Sequence, residues 1–137
     1  MKNILSIESF KFGMGGFNSS KFEFLLHQNI ISFYSYDYHF EKGIEHRKEI
    51  SGEALVLFIS SLNEINILHW KNKYDNNIVL DGEQWEIWIK YNTTKQKKIY
   101  GSNEYPGSKP DSFGRTSQFN DFLEIIKLII QDPSVSF

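Results

Sequence analysis

Apolar and polar positions alternate with two different periods along this chain, and the changes of period mark its elements. Residues Ile4–Phe12 are apolar and β-prone. Leu5 and Ile7 share one parity and Phe10 and Phe12 the other, which predicts a bulge or bend near Glu8–Ser9 in the first strand. Gly13-Met14-Gly15-Gly16 is expected to break that strand. Phe22, Phe24 and Leu26 alternate with Lys21, Glu23 and Leu25, a second strand that turns at His27-Gln28-Asn29. Ile31 and Phe33 oppose Ser32, Tyr34, Tyr36 and Tyr38, a third strand. The charged, glycine-containing stretch Glu41–Glu49 reads as a loop.

The period then becomes helical. Ser51 is a candidate N-cap with Glu53 in the first turn, and Leu55, Phe58, Ile59, Leu62 and Ile65 form a stripe. Ile67-Leu68-His69-Trp70 ends the segment, and Lys71–Leu80 reads as an asparagine-rich connection. Trp85, Ile87 and Ile89 alternate with Glu86, Trp88 and Lys90 in a fourth strand. A turn at Asn92–Lys95 leads to a short fifth strand, Lys97–Tyr100. Gly107–Arg115 reads as a surface loop, and Thr116 or Ser117 can cap a last helix. That helix carries Phe119, Phe122, Leu123, Ile126, Ile129 and Ile130 on one side and stops at Asp132-Pro133.

The predicted order is βββαββα, in one domain over residues 1–137. Each helix has a single apolar stripe, so the expected fold is α+β, with an antiparallel sheet of about five strands and both helices on one face. The expected core contains Phe22, Phe24, Phe58, Leu62, Trp85, Ile87, Phe122, Leu123 and Ile126. Phe22–His27 echoes Trp85–Lys90 in pattern, and a helix follows each at a similar distance. Duplication and convergence explain this equally well.

Composition narrows the function classes. The 137 residues are 40% hydrophobic and 23% charged, a globular balance, and carry a net charge of -2. That charge offers no field for non-specific nucleic-acid binding. No run reaches the roughly 18 apolar residues of a membrane span, and the first residues lack a signal-peptide core. A cytoplasmic protein with no membrane association is the expectation. Without cysteine there is no disulfide, thiolate nucleophile or cysteine-ligated zinc. Aromatics make up 16% of the chain, but Lys far outnumbers Arg and Ile and Asn abound. That joint bias matches an AT-rich genome, so aromatic richness alone does not indicate a binding surface.

Candidate chemistry is sparse. Gly13–Phe17 follows a strand but lacks the Lys-Ser/Thr and the helix of a phosphate loop. Asp37, His39, Glu41, Glu45 and His46 are metal-ligand types at a spacing that matches no zinc pattern. His69 with Asp81 could form a base and its orienter, and His27 lies in a turn. None of these makes a catalytic or metal-binding constellation, so no catalytic residue, metal or cofactor is assigned. Lys90, Lys95, Lys97 and Lys98 give a positive hairpin that either protects an edge or docks an acidic partner.

From Trp70 onward the motifs resemble a recurrent group of small bacterial proteins with no assigned activity. The shared signature is Trp70 and Tyr74, the Asp81-Gly82 turn, Gln84-Trp85, and the loop Gly101-Ser102-Asn103-Glu104-Tyr105-Pro106. Gly15-Gly16-Phe17 followed by Phe22-Glu23-Phe24 is similar to the N-terminal hairpin of that group. The group's usual approach to the last helix is shorter than Gly107–Arg115. The resemblance implies a fold and transfers no catalytic role. Asp81, Gly82, Trp85, Gly101, Asn103, Tyr105 and Pro106 are turn makers and core aromatics, so they read as structural.

The leading expectation is a non-enzymatic protein-binding module, an immunity- or inhibitor-type protein that recognises one partner protein. One alternative is a small-ligand-binding protein or enzyme with a pocket between helices and sheet. Another is a phage-related or nucleic-acid-associated accessory protein. For the first reading the candidate surface is Trp88, flanked by Glu86 and Lys90, with Tyr34 and Tyr36 as neighbours. Parity places all five away from Trp85 and Phe33.

Overall fold

A computed structural model describes residues 3–16, 21–37, 42–75, 82–109 and 114–131. The chain is α+β. Among the described residues seven strands form one sheet: β1 (Ile7–Gly16), β2 (Lys21–His27), β3 (Ile30–Asp37), β4 (Lys42–Glu49), β5 (Lys73–Asp75), β6 (Glu83–Tyr91) and β7 (Lys95–Ser102). Helix α1 (Gly52–Glu64) and a 3-10 turn (Ile67–His69) follow β4, and helix α2 (Ser117–Ile130) follows β7. The sheet order is β4-β3-β2-β1-β6-β7-β5, antiparallel except for β5 on β7. β1 is the middle strand, with three strands on either side.

Two strands were not expected. Within the stretch Glu41–Glu49 read as a loop, Glu41 lies outside the described residues and residues 42–49 form β4, which pairs with β3 along its length. Its sequence shows no apolar alternation because an edge strand next to solvent is kept charged. Within the stretch read as the Lys71–Leu80 connection, residues 73–75 form β5, a three-residue parallel strand on the other edge. Gly13-Met14-Gly15-Gly16 does not end β1. The strand runs to Gly16, with Gly13 paired to Glu23 on one side and Glu86 on the other. Glycine weakens a strand, but pairing on both sides holds it.

The bulge lies where the parity change predicted it. Ile7 faces Tyr91 and Ser9 faces Lys90, so Glu8 is the extra residue. Its carboxylate accepts from the Thr93 main-chain N–H at 2.9 Å, which ties the bulge to the β6–β7 turn. Upstream, Ile4 is buried and Leu5 is exposed. Asn63 of α1 clamps Ile4: its Oδ1 accepts from the Ile4 N–H at 2.9 Å and its Nδ2 donates to the Ile4 carbonyl at 3.0 Å.

Both helices cover the same face of the sheet. Phe10 of β1 packs against Phe58 of α1 at 5.1 Å and Phe122 of α2 at 6.2 Å between ring centroids. All nine residues expected in the core are buried, and the buried apolar side chains form one cluster. Ser51 Oγ accepts from the Ala54 N–H and Thr116 Oγ1 from the Phe119 N–H, so both predicted caps form. At the far end of α2, Lys48 Nζ donates to the Ile130 carbonyl, placing a cation at the helix C-terminus.

Candidate functional site

Among the described signature residues, Trp70, Tyr74, Gly101 and Tyr105 gather around Trp85. Gly101 passes directly beneath the Trp85 indole, where a β-carbon would stand 2.0 Å from Cε2. Close approach, and not a bend, is what requires glycine there, since Gly101 sits inside β7. Trp85 Nε1 donates to the Glu104 carbonyl at 3.0 Å, and Tyr105 stacks parallel to the indole at 6.2 Å. Trp70 and Tyr74 complete the ring cluster. Asn103 adopts the left-handed conformation at φ 58°, and its main-chain N–H donates to the Glu83 carbonyl. Its side chain fills the space above Gly82, where a β-carbon would stand 1.5 Å from Oδ1. Asp81 lies outside the described residues.

Arg115 and Thr116, just before α2, are tied to the residues around this cluster. Arg115 donates to the Glu83 carboxylate from Nε at 2.8 Å and Nη2 at 2.5 Å, and Tyr105 Oη donates to the same group at 2.9 Å. The paired carboxylate holds the Arg115 guanidinium even more firmly protonated. Burial first, and Glu83 second, push the Tyr105 phenol above its ordinary range. Thr116 Oγ1 donates to the Pro106 carbonyl while capping α2.

The remaining candidates divide by position. Glu45 faces Tyr34, whereas the adjacent His46 points to the other face and stacks on Phe33 at 5.0 Å. His39 and Glu41 lie outside the described residues, and the described ones contain no group of three or more ligand types that could hold a metal. His69 is exposed at the end of the 3-10 turn, and its suggested partner Asp81 lies outside the described residues. The lysine hairpin is split. Lys97 donates inward to the Trp70 carbonyl at 2.7 Å, while Lys90 and Lys98 lie over the Trp88 ring.

The uncovered face of the sheet holds the candidate binding residues. Trp88, Glu86 and Lys90 of β6 and Tyr34 and Tyr36 of β3 all point there, opposite the buried Trp85 and Phe33. The structure does not make the tyrosines neighbours of Trp88. β1 and β2 intervene and the tyrosines lie in other rows, so Tyr34 stands about 16 Å and Tyr36 about 20 Å away. Trp88 is also not a bare anchor. Lys98 Nζ lies 4.3 Å and Lys90 Nζ 5.0 Å from its ring centroid, so lysine stems shield it. Its indole N–H is buried with no acceptor among the described residues.

Strand register sorts this face into charged rows that run across the strands. One row reads Glu45, Tyr34, Glu23, Gly13, Glu86, Tyr100. The next reads Arg47, Ser32, Leu25, Lys11, Trp88, Lys98. The first is acidic and the second basic, about 7 Å apart along the strands. Among the described residues one half-exposed ion pair, Lys11 to Glu86 at 3.4 Å, bridges them. A depression of about 460 Å³ lies in the acidic row, floored by Gly13 and Gly15 and walled by Glu23, Lys21, Gln84, Glu86 and Tyr100.

Reading Gly13–Gly16 as a strand break hid this trough. Strand parity already pointed Glu23 outward, but only the pairing of β1 between β2 and β6 sets Glu23 and Glu86 opposite each other. No protein-family model matches the chain, and no curated protein matches it significantly.

Proposed function

We propose that the chain is a non-enzymatic protein-binding module of the immunity or inhibitor type, which recognises one partner protein through the open face of its sheet. The observation that carries this reading is the asymmetry of the sheet. Two helices cover one face. The other presents Trp88, Tyr100, Tyr34, Tyr36 and the 45%-exposed Leu25 among ordered rows of opposite charge. Aromatic and aliphatic anchors inside a charged rim are how partner surfaces are built. The enclosed Trp88 N–H has no acceptor among the described residues, an arrangement proteins mostly avoid. Rows of opposite sign favour a partner with complementary rows and reject one in the wrong register.

Capture of a partner from lysate of the source organism tests the reading. Trp88→Ala and Leu25→Asp alter the open face without touching the core. Both should reduce capture of a stoichiometric partner that the wild-type chain retains. A partner captured equally by both variants would overturn the open-face reading.

A further inference from the structure

We propose that the trough above Gly13 receives a basic side chain, arginine or lysine, projecting from the partner's polypeptide. This rests on the open-face reading and adds the chemistry of the contact.

The first observation is the glycine itself. Glycine inside a strand is destabilising, so a paired strand position normally carries a side chain. Gly13 sits in the middle strand of seven, yet nothing within the described chain requires glycine there. Its φ is not in the left-handed region, and an added β-carbon would meet only Glu86, Cγ at 3.6 Å and Oε1 at 3.7 Å, which is ordinary contact. Gly101 and Gly82 differ, because a β-carbon at either would collide with a neighbouring side chain. What the missing side chain at 13 leaves is space on the outer surface.

The second observation is the charge around that space. Glu23 and Glu86 pair directly with Gly13 from opposite sides, so two carboxylate-bearing residues flank one bare floor position, with Lys21 lining the trough two residues before Glu23 on β2. β2 and β6 are about 10 Å apart, wide enough for a guanidinium or ammonium on its stem. Glu23 makes no ion pair among the described residues. Among the described residues Glu86 is paired with Lys11 at 3.4 Å, both side chains about half exposed, a weak and exchangeable attachment. On the β6–β7 side the wall is Tyr100, 42% exposed, whose ring face suits a cation.

A side chain fits better than a free metal ion. The trough is open, its carboxylates come from opposite walls, and metal sites need three or four converging ligands. Charge-assisted bonds to two carboxylates would orient an arginine, with the basic row beside it setting the register of the rest of the partner.

The test is a titration of the ¹⁵N-labelled 137-residue chain at low ionic strength with a blocked tetra-arginine peptide and, separately, a blocked tetraglutamate peptide. The arginine peptide should shift the amides of Gly13, Glu23 and Glu86 saturably, and added salt should weaken it. Gly13→Val fills the floor and should lower the apparent affinity about tenfold or more. Glu23→Gln combined with Glu86→Gln should abolish the localised shifts. Gly13→Ala, whose methyl makes only ordinary contact, controls for folding. Shifts spread evenly over the surface, an unchanged titration of Gly13→Val, or the same shifts from tetraglutamate would overturn the inference. If that happens while Trp88→Ala still loses its partner, only the trough assignment falls. If capture is also indifferent to Trp88→Ala, the open-face reading falls with it.

Discussion

Trp85 is the residue around which the C-terminal half is arranged. It is 2% exposed, hydrogen-bonded through its indole, and in contact with Trp70, Tyr74, Tyr105 and Phe119. Trp85→Ala should lower urea stability by about 3–5 kcal/mol, the cost of truncating a large core aromatic. A loss under about 1 kcal/mol would mean that the cluster collapses around the gap without penalty. Asn103 carries a different load, since its left-handed backbone disfavours most side chains. Asn103→Ala should cost about 0.5–2 kcal/mol, and Asn103→Gly should cost less; equal losses would show that the side chain matters more than the backbone. Tyr105 links this cluster to pH. Burial and Glu83 raise its phenol above the ordinary value of 10.0, and burial raises Tyr74 as well. Below pH about 10 neither the folded nor the unfolded chain ionises these groups, and their stabilisation is complete. Above it the unfolded chain loses the protons first, so stability falls as pH rises. Urea midpoints at pH 9 and pH 11 should therefore converge in Tyr105→Phe relative to the wild type.

At the scale of elements, legibility followed burial. β2, β6 and both helices each have one face in the core, so their periods are clean and their caps sit where Ser51 and Thr116 suggested. β4 was illegible because an edge strand needs no apolar alternation, and β5 because three residues carry no period. The segment before β1 has no period either, yet it is fastened. Asn63→Ala would leave the Ile4 N–H and carbonyl without their partner, and should cost about 1–3 kcal/mol. Amide exchange should then accelerate at Ile4 while Phe12, in the middle strand, stays protected. Equal acceleration at both would show that the clamp supports the whole sheet.

Across the whole molecule, the two halves share β1. β2 and β6 flank it, with Phe22 and Trp85 both facing Met14 and Phe24 and Ile87 both facing Phe12. This accounts for their similar sequence patterns: both strands present one face to the same core and the other to the open surface. The open surface runs across this junction, so glycine in the middle strand weakens the fold at the point where binding is proposed. Gly13→Ala should keep or raise urea stability, by up to about 1 kcal/mol, because it restores a normal strand residue. A clear loss of stability would show that the fold itself needs glycine at 13.

The sequence alone determined the properties that depend on near neighbours: the periods of the well-buried elements, the Ser51 cap and a second cap at Thr116 or Ser117, a bulge near Glu8–Ser9, the inward side of Trp85 and the outward side of Trp88. Each follows from residues a few positions apart, because burial on one face imposes a period. The tertiary structure decided what depends on pairing between distant segments. It placed β1 between β2 and β6, set Tyr34 about 16 Å and Tyr36 about 20 Å from Trp88, and assembled the acidic and basic rows from six strands. It also turned an apparent strand break into the floor of a trough, because only the pairing partners of a glycine determine whether it ends a strand or leaves a space in one.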